Sequence, residues 1–188
     1  SHIRAATGTP VQNTNCHPFS YENWLFQHNG SVPQFGKLKR KLMFDVDPEL
    51  FPSIGGSTDS ETLFFLALTF GLRDDPPAAL ARTMGHVERA REAAGLQQPI
   101  QFSACTTDGS RLWTVRYSSN NQSRTQYHSR HIHALRDIHG SYEAIPDGAV
   151  ILLSEPLDEL SEHWEAVPES SLLVVEDGTT TVSSFSPE

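Results

Sequence analysis

The interpretation of this chain depends on the stretch Trp24-Leu25-Phe26-Gln27-His28-Asn29-Gly30. Its alternation predicts a short apolar strand that ends in the polar pair Asn29-Gly30. A tight turn is one explanation of this pair, because both residue types tolerate positive φ. A catalytic explanation is that an Asn side-chain amide and a Gly N–H provide two donors for the oxyanion formed when a nucleophile attacks an amide. On these residues alone the turn is favoured, so the rest of the chain must decide.

Composition narrows the class of protein. The chain has 188 residues, of which 37% are hydrophobic and 20% are charged, as expected for one globular domain with a substantial core. The formal net charge of −9 argues against a nucleic-acid binder, since affinity for phosphates comes mainly from clustered Lys and Arg. The basic cluster Lys37–Lys41 is better explained as the solvated face of a short helix.

Two further features bear on location and completeness. Neither a signal peptide nor a membrane-spanning apolar run is visible, and two cysteines do not form a disulfide framework, so we expect a cytoplasmic protein. The chain opens on the strand-like alternation Ser1-His2-Ile3-Arg4-Ala5-Ala6-Thr7 without an initiating Met. A strand without a neighbour is an unusual beginning, and we expect the sequence to start inside a longer gene product.

Helices are predicted in the first half of the chain. Pro33 and the spacing of the following apolar residues indicate a first helix. The pattern Thr58-Asp59-Ser60-Glu61 predicts a capping box, followed by a helix that is apolar on nearly every side and therefore deeply buried. Pro76-Pro77 opens a third helix, which Gly95 ends.

Strands dominate the second half. The runs 102–106 and 112–117 flank Asp108-Gly109 and predict a hairpin, as do the runs 172–175 and 179–185. Residues 118–130 are polar and predict a mobile loop, whereas residues 150–153 predict a buried strand. Strands, then helices, then strands again indicate an α+β layered domain.

Arg4 and Asp59 suggest a receptor for a free amino acid. Each has a commoner explanation, since Arg4 could be a surface residue and Asp59 a first-turn acid favoured by the helix dipole. A planar guanidinium on a strand also suits a carboxylate, and an Asp can neutralise an ammonium group. With an oxyanion hole nearby, the two would describe hydrolysis of a side-chain amide, and the amino acid with such a side chain of useful length is glutamine.

Four motifs, in this order and spacing, resemble the glutaminase domain of class II glutamine amidotransferases. They are Ser1-His2-Ile3-Arg4-Ala5-Ala6-Thr7, Asn15-Cys16-His17-Pro18-Phe19, His28-Asn29-Gly30 and Ser57-Thr58-Asp59-Ser60-Glu61. The resemblance implies a single glutaminase-like domain over residues 1–188, with the four-layer αββα sandwich of N-terminal-nucleophile hydrolases. Leu153-Ser154-Glu155-Pro156-Leu157 and the terminal strands look like the stand-alone bacterial members.

The resemblance also implies roles for individual residues. Asn29 and Gly30 would form the oxyanion hole. Arg4 would bind the α-carboxylate of glutamine with help from Thr7, and Asp59 would bind the α-amino group. His17 corresponds to a position near the pocket. No metal or cofactor is implied.

The nucleophile is where this chain departs from the family. The family uses an N-terminal Cys whose own α-amine acts as the base. Ser1 corresponds to an internal position of the family, so we do not expect it to be catalytic. Cys16 is expected to be an ordinary loop residue, and Cys105 is expected to lie in the core or on the reverse face of a strand. We therefore expect the segment with the nucleophile to be missing.

Other chemistries have weaker support. His128, His131 and His133 could be metal ligands, but their surroundings are polar and no Cys or carboxylate is spaced with them, so a solvated segment is the preferred interpretation. Nucleotide binding has no support, because there is no Gly-rich phosphate loop.

Three functions stay open at this stage. The chain could belong to an enzyme that hydrolyses glutamine through a Cys thioester, or to one that hydrolyses other γ-glutamyl amides. It could also be a non-catalytic module that binds γ-glutamyl compounds. An unpaired edge on the strand with Arg4 would invite self-association, so a homodimer also stays open.

Overall fold

The computed structural model describes residues 12–130, 136, 145–157 and 162–188. Within these residues the helices are α1 (Phe35–Phe44), α2 (Asp59–Thr69) and α3 (Pro76–Ala93), with short 3-10 turns at Asn13–Asn15 and Phe51–Ser53. The strands are β1 (Phe19–Tyr21), β2 (Trp24–Ser31), β3 (Gln101–Thr107), β4 (Arg111–Ser118), β5 (Tyr127–Ser129), β6 (Leu152–Leu153), β7 (Trp164–Ala166), β8 (Ser171–Glu176) and β9 (Thr179–Ser184).

The described strands form two antiparallel sheets. The larger has six strands in the order β1-β2-β3-β4-β8-β9, and the smaller has three in the order β6-β5-β7. In the larger sheet β2 lies between β1 and β3, but β1 pairs only with Trp24–Phe26. The second half of β2 therefore extends beyond the end of β1.

The three helices cover one face of the larger sheet. Trp24 and Phe26 point toward them, as expected for alternate residues of a strand that is buried on one side. Phe26 stacks on Phe64 of α2 with ring centroids 5.4 Å apart, and Trp24 stacks on Trp113 of β4 at 5.6 Å. The main core therefore lies between this face and the helices.

The predicted burial of α2 is confirmed. Residues 60–68 are all buried, and the Thr58 hydroxyl accepts the Glu61 N–H at 3.1 Å as the helix cap. The Glu61 carboxylate accepts the N–H groups of Gly55 and Gly56, at 2.9 and 2.8 Å. Glu61 thus holds the preceding loop against the beginning of the helix.

The predicted hairpins β3–β4 and β8–β9 are confirmed. The mobile loop predicted over residues 118–130 is wrong in part, because Tyr127–Ser129 forms the central strand of the smaller sheet. The buried strand predicted over 150–153 reduces to Leu152–Leu153, which is only half-buried. Both errors involve the smaller sheet, whose strands are too short to show a period.

The smaller sheet lies against the other face of the larger one. Gln126 Nε2 donates to Thr114 Oγ1 at 2.5 Å, and Arg116 Nη1 donates to the Val167 carbonyl at 2.5 Å. For the residues that the structure describes, the order of layers is therefore helices, larger sheet, smaller sheet. Among the described segments, no helix is long and apolar enough to cross a membrane.

Candidate active site

Asn29 and Gly30 lie inside a strand and not in a turn. β2 continues to Ser31, with Asn29 opposite Ser103 and Gly30 opposite Phe102 of β3. The prediction that the strand ends at this pair is therefore wrong, and so is the tight-turn explanation. Pairing with β3 keeps the backbone extended here.

The requirement for glycine at position 30 comes from close packing. A Cβ on Gly30 would lie 2.0 Å from the Gln101 carbonyl oxygen and 2.4 Å from His28 Nε2. These two atoms are hydrogen-bonded to each other at 3.0 Å and lie over the Gly30 Cα. A larger residue would have to break this contact, so the glycine permits close approach and needs no positive φ.

The Gly30 N–H points away from β3. In an antiparallel strand, successive N–H groups point to opposite edges, so Gly30 and Val32 share one edge. The Val32 N–H points away from β3, because it donates to Asp59 Oδ2 at 2.8 Å. Since β1 pairs no further along β2 than Phe26, no described strand occupies this edge at Gly30. The N–H is thus directed to a side where a ligand oxygen could accept it.

The Asn29 side chain lies on the face opposite the helices, half-buried. Its Nδ2 donates to Ser154 Oγ at 2.8 Å, and its Oδ1 accepts from Arg124 Nη1 at 3.4 Å. Thr125 Oγ1 donates to the Ser154 carbonyl at 2.9 Å, which connects the two segments that hold the amide. Both polar atoms of the Asn29 amide are therefore hydrogen-bonded to the loops around the smaller sheet.

A cleft of about 880 Å³ lies between the two sheets, with Asn29 in its lining. Its volume is within the range of small-molecule sites. One part is apolar, formed by Leu25, Leu112 and Leu152, whereas Arg124 and Glu155 contribute charges. The cleft can accommodate a ligand with a polar end near Asn29 and an apolar end.

Two buried polar atoms in this cleft have unused bonding capacity. Within the described residues, Ser103 Oγ and Gln126 Oε1 have no hydrogen-bond partner. Both side chains line the cleft, and Ser103 is directly opposite Asn29 in the strand pair. Unpaired buried groups carry a desolvation cost, so these two atoms make the wall of the cleft polar beside Asn29 at the expense of some stability.

Asp59 lies near the end of β2, at the beginning of α2. Its Oδ2 accepts from Val32 N–H, and its Oδ1 accepts the Ser60 N–H at 2.9 Å. Ser60 Oγ is also 3.0 Å from Nδ1 of the buried His28. Asp59 is half-buried, so a hydrogen-bonded carboxylate is held close to the end of β2 and is reachable from solvent.

The motif at residues 15–19 folds onto the loop before α2. Buried Asn15 accepts the Ser57 N–H through Oδ1 at 2.9 Å. His17 is half-buried and packs edge-on against Phe19, with ring centroids 4.7 Å apart. The neighbouring Pro18 lines the cleft, whereas His17 is not among its lining residues. Arg4 and Thr7 lie outside the described residues.

Neither cysteine of the chain is arranged as a nucleophile. Cys16 is exposed, and its thiol lies 3.5 Å from the Gln12 carbonyl. Cys105 lines the cleft, on the face opposite the helices as predicted, and burial raises the pKa of its thiol to about 12. A thiol with that pKa is protonated at neutral pH and is a poor nucleophile.

The prediction that the histidines at 128, 131 and 133 lie in a solvated segment is wrong for His128, which is buried in β5. His131 and His133 lie outside the described residues. Across the described ranges, no three His, Cys, Asp or Glu residues are grouped as metal ligands.

Sequence reasoning missed Arg124 and Ser154 as contacts of Asn29. The Ser154 segment resembles the family, but nothing local to it indicated a contact 125 positions away.

Comparison with known proteins agrees with these motifs. The family model for glutamine amidotransferases class-II matches residues 1–188. The probable glutamine amidotransferase DUG3 of Saccharomyces cerevisiae is 30% identical over 203 aligned residues, which cover 95% of this chain. The chain spans 57% of the length of that relative.

Solved structures share the fold. A glutamine aminotransferase class-II domain protein from Silicibacter pomeroyi is 31% identical, with a TM-score of 0.79 over 94% of this chain and 74% of that one. A glutamine phosphoribosylpyrophosphate amidotransferase from B. subtilis is 18% identical, with a TM-score of 0.60 over 98% of this chain and 34% of that one, a likeness of fold alone. The mixed helix-and-sheet architecture is that of N-terminal-nucleophile hydrolases. The chain belongs to the class II glutamine amidotransferases.

Proposed function

We propose that the intact protein hydrolyses the side-chain amide of glutamine, with residues 1–188 as its glutaminase domain. The observation that carries this proposal is the pairing of two donors at one place. The Asn29 amide faces the cleft, and the adjacent Gly30 N–H points to the edge of β2 that is not paired with β3. Such donors stabilise the charge that develops on an amide oxygen under attack.

The proposed reaction has two steps. The N-terminal Cys that the family resemblance implies attacks the amide carbon, and its thiol proton passes through its own α-amine to the leaving nitrogen. The carbon–nitrogen bond breaks, which releases ammonia and leaves a thioester. Water then attacks the thioester carbonyl and releases glutamate and the free thiol. An oxyanion forms in both steps, so Asn29 and Gly30 act twice.

The remaining residues would bind the amino-acid end of the substrate. Asp59 would hold the α-ammonium group, since its carboxylate is half-buried and fixed by two backbone N–H groups. Arg4 would bind the α-carboxylate, with Thr7 beside it. His17 would contribute a wall near the cleft. With that end bound, the side-chain amide of the substrate would extend toward Asn29.

The decisive test is the kinetics of Asn29→Ala in the intact protein with its N-terminal Cys. We expect kcat to fall roughly a hundred- to thousandfold with little change in KM, because a donor used mainly in the transition state is lost. Asn23→Ala, in the β1–β2 turn, is the matched control and should keep its kcat. An unchanged kcat in Asn29→Ala would reject the mechanism, and failure to hydrolyse any γ-glutamyl amide would favour a non-catalytic binding module.

A larger γ-glutamyl amide is the second candidate substrate. The apolar part of the cleft continues beyond Asn29 along Leu25, Leu112 and Leu152, which provides room for a substituent on the amide nitrogen. A panel of γ-glutamyl amides compared with glutamine by kcat/KM separates the two candidates. Leu112→Asp should lower kcat/KM for amides with an apolar substituent and leave glutamine unaffected. An equal effect on both substrates would remove this candidate.

A further inference from the structure

The contacts of Asn29 suggest a role for two residues that lie far from it in sequence. Its Nδ2 donates to Ser154 Oγ at 2.8 Å, and its Oδ1 accepts from Arg124 Nη1 at 3.4 Å. An amide group has two N–H donors and one carbonyl acceptor. One N–H is engaged by Ser154, and the other stays available for an oxyanion.

The two contacts together define the orientation of the Asn29 amide group. A 180° flip of the Asn29 amide would place its NH₂ group against the Arg124 guanidinium, where two donors would face each other. It would also place Oδ1 against Ser154, which tolerates either arrangement because a hydroxyl both donates and accepts. Arg124 therefore selects the flip state, and Ser154 fixes the torsion of the side chain.

The charge on Arg124 has a second effect. A cation that donates to the carbonyl of an amide polarises the group and strengthens its N–H as a donor. Arg124 is exposed, so solvent screens part of this effect. The effect would matter most once a substrate covers the cleft and excludes water.

We propose that Arg124 and Ser154 are positioning residues that orient and polarise the Asn29 amide for oxyanion stabilisation. This inference rests on the proposed function, in which Asn29 is an oxyanion-hole donor. The two residues come from the segments that precede β5 and follow β6, at the same end of the smaller sheet, and the contact from Thr125 Oγ1 to the Ser154 carbonyl joins these segments. The smaller sheet thus supplies the orientation, and the larger sheet supplies the donor.

The exposure of both residues makes the inference testable. Hydrogen bonds at exposed positions contribute little to folding, so Ser154→Ala and Arg124→Met should keep the thermal midpoint of the parent protein. Ser183→Ala, at an exposed position on β9 in the larger sheet, is the matched control for the loss of a hydroxyl.

The experiment is a double-mutant cycle in the intact protein. We expect Ser154→Ala to lower kcat roughly three- to thirtyfold with KM unchanged, less than the loss expected for removing the donor itself. Ser154→Thr should restore most of kcat. In an Asn29→Ala background Ser154→Ala should have no further effect, because residues that act through one group are not additive. Arg124→Met should behave like Ser154→Ala, with Arg124→Lys intermediate.

The side-chain amide resonances of Asn29 provide a readout that does not depend on turnover. They are assigned by their loss in Asn29→Ala, and we expect both proton shifts to change in Ser154→Ala but not in Ser183→Ala. Unchanged resonances or an unchanged kcat in Ser154→Ala would overturn the inference, as would an equal loss of kcat in the Asn29→Ala background. If Asn29→Ala itself kept full kcat, the proposed function would fail together with this inference, whereas a defect confined to Asn29→Ala would overturn the inference alone.

Discussion

The Asp59 carboxylate accepts the Val32 N–H at 2.8 Å, which connects the beginning of α2 to the end of β2. This contact joins the residue proposed to hold the substrate ammonium to the strand that carries Asn29 and Gly30. Asp59 lies in the first turn of α2 and also accepts the Ser60 N–H, so backbone groups from two elements hold its carboxylate. The proposed ammonium site and the contact between α2 and the end of β2 therefore involve the same carboxylate.

Asp59→Asn separates these two roles. The amide oxygen can still accept the Val32 N–H, so we expect a small change in stability, whereas KM for glutamine should rise about tenfold or more as the charge is lost. Asp75→Asn at the N-cap of α3 is the same substitution at another helix start and should leave KM unchanged. Steady-state kinetics measure KM for both variants. Equal KM values for Asp59→Asn and the parent protein would contradict the role proposed for Asp59.

Alkylation distinguishes the two cysteines. The exposed Cys16 should react with iodoacetamide in the native protein at pH 7.5, whereas the protonated thiol of Cys105 should not. Both should react in denaturant. Mass spectrometry after digestion locates the label. Cys105→Ala should keep kcat, and a loss of catalysis in that variant with an unchanged fold would reassign the nucleophile.

Glu61 predicts a pH dependence of stability. Burial raises its pKa above the ordinary value of 4.5, although the Gly55 and Gly56 N–H groups and Lys39 act in the opposite direction. A carboxyl with a raised folded-state pKa binds more protons in the native state than in the unfolded state. Its contribution is therefore fully present below the unfolded-state pKa and is lost as pH rises through the folded-state value.

Glu61→Gln provides the reference without this titration. The free energy of unfolding of the parent protein, minus that of Glu61→Gln, should fall as pH rises upward from about 4.5, the ordinary Glu value. Urea denaturation at several pH values measures the difference. Lys39→Met should extend the decline to higher pH, because removing a nearby cation raises the pKa further. A difference that grows with pH would contradict the raised pKa.

The last residues of the chain pack against Gly85 on α3, and this contact predicts that a larger residue at position 85 lowers stability. The Glu188 N–H donates to the Ala81 carbonyl, and a Cβ on Gly85 would lie 1.6 Å from the Glu188 carbonyl oxygen. Gly85→Ala should therefore displace the tail and destabilise the protein by about 1–3 kcal/mol. Gly36→Ala on α1 has open space and should instead be neutral or stabilising by up to about 1 kcal/mol. Thermal unfolding and limited proteolysis of the tail compare the two variants.

Local signals in the sequence determined most of the elements. The Thr58 cap and the apolar residues after it define α2, and the Asp108-Gly109 and Asp177-Gly178 pairs define two hairpins. These signals act over a few residues, because caps and turns are satisfied by backbone groups close by in the chain. The motif at His28-Asn29-Gly30 favoured a turn on its own, and the catalytic roles of Asn29 and Gly30 were implied only by the four motifs together.

Tertiary structure decided how these groups are used. Pairing with β3 keeps Asn29 and Gly30 extended, whereas the local sequence favoured a turn. A glycine is required at position 30 because the His28 side chain packs closely over it. The burial of His128 and the contact between Ser154 and Asn29 depend on the smaller sheet lying against the larger one. Residues 125 positions apart leave no local pattern, because only the folded chain brings their side chains within hydrogen-bonding distance.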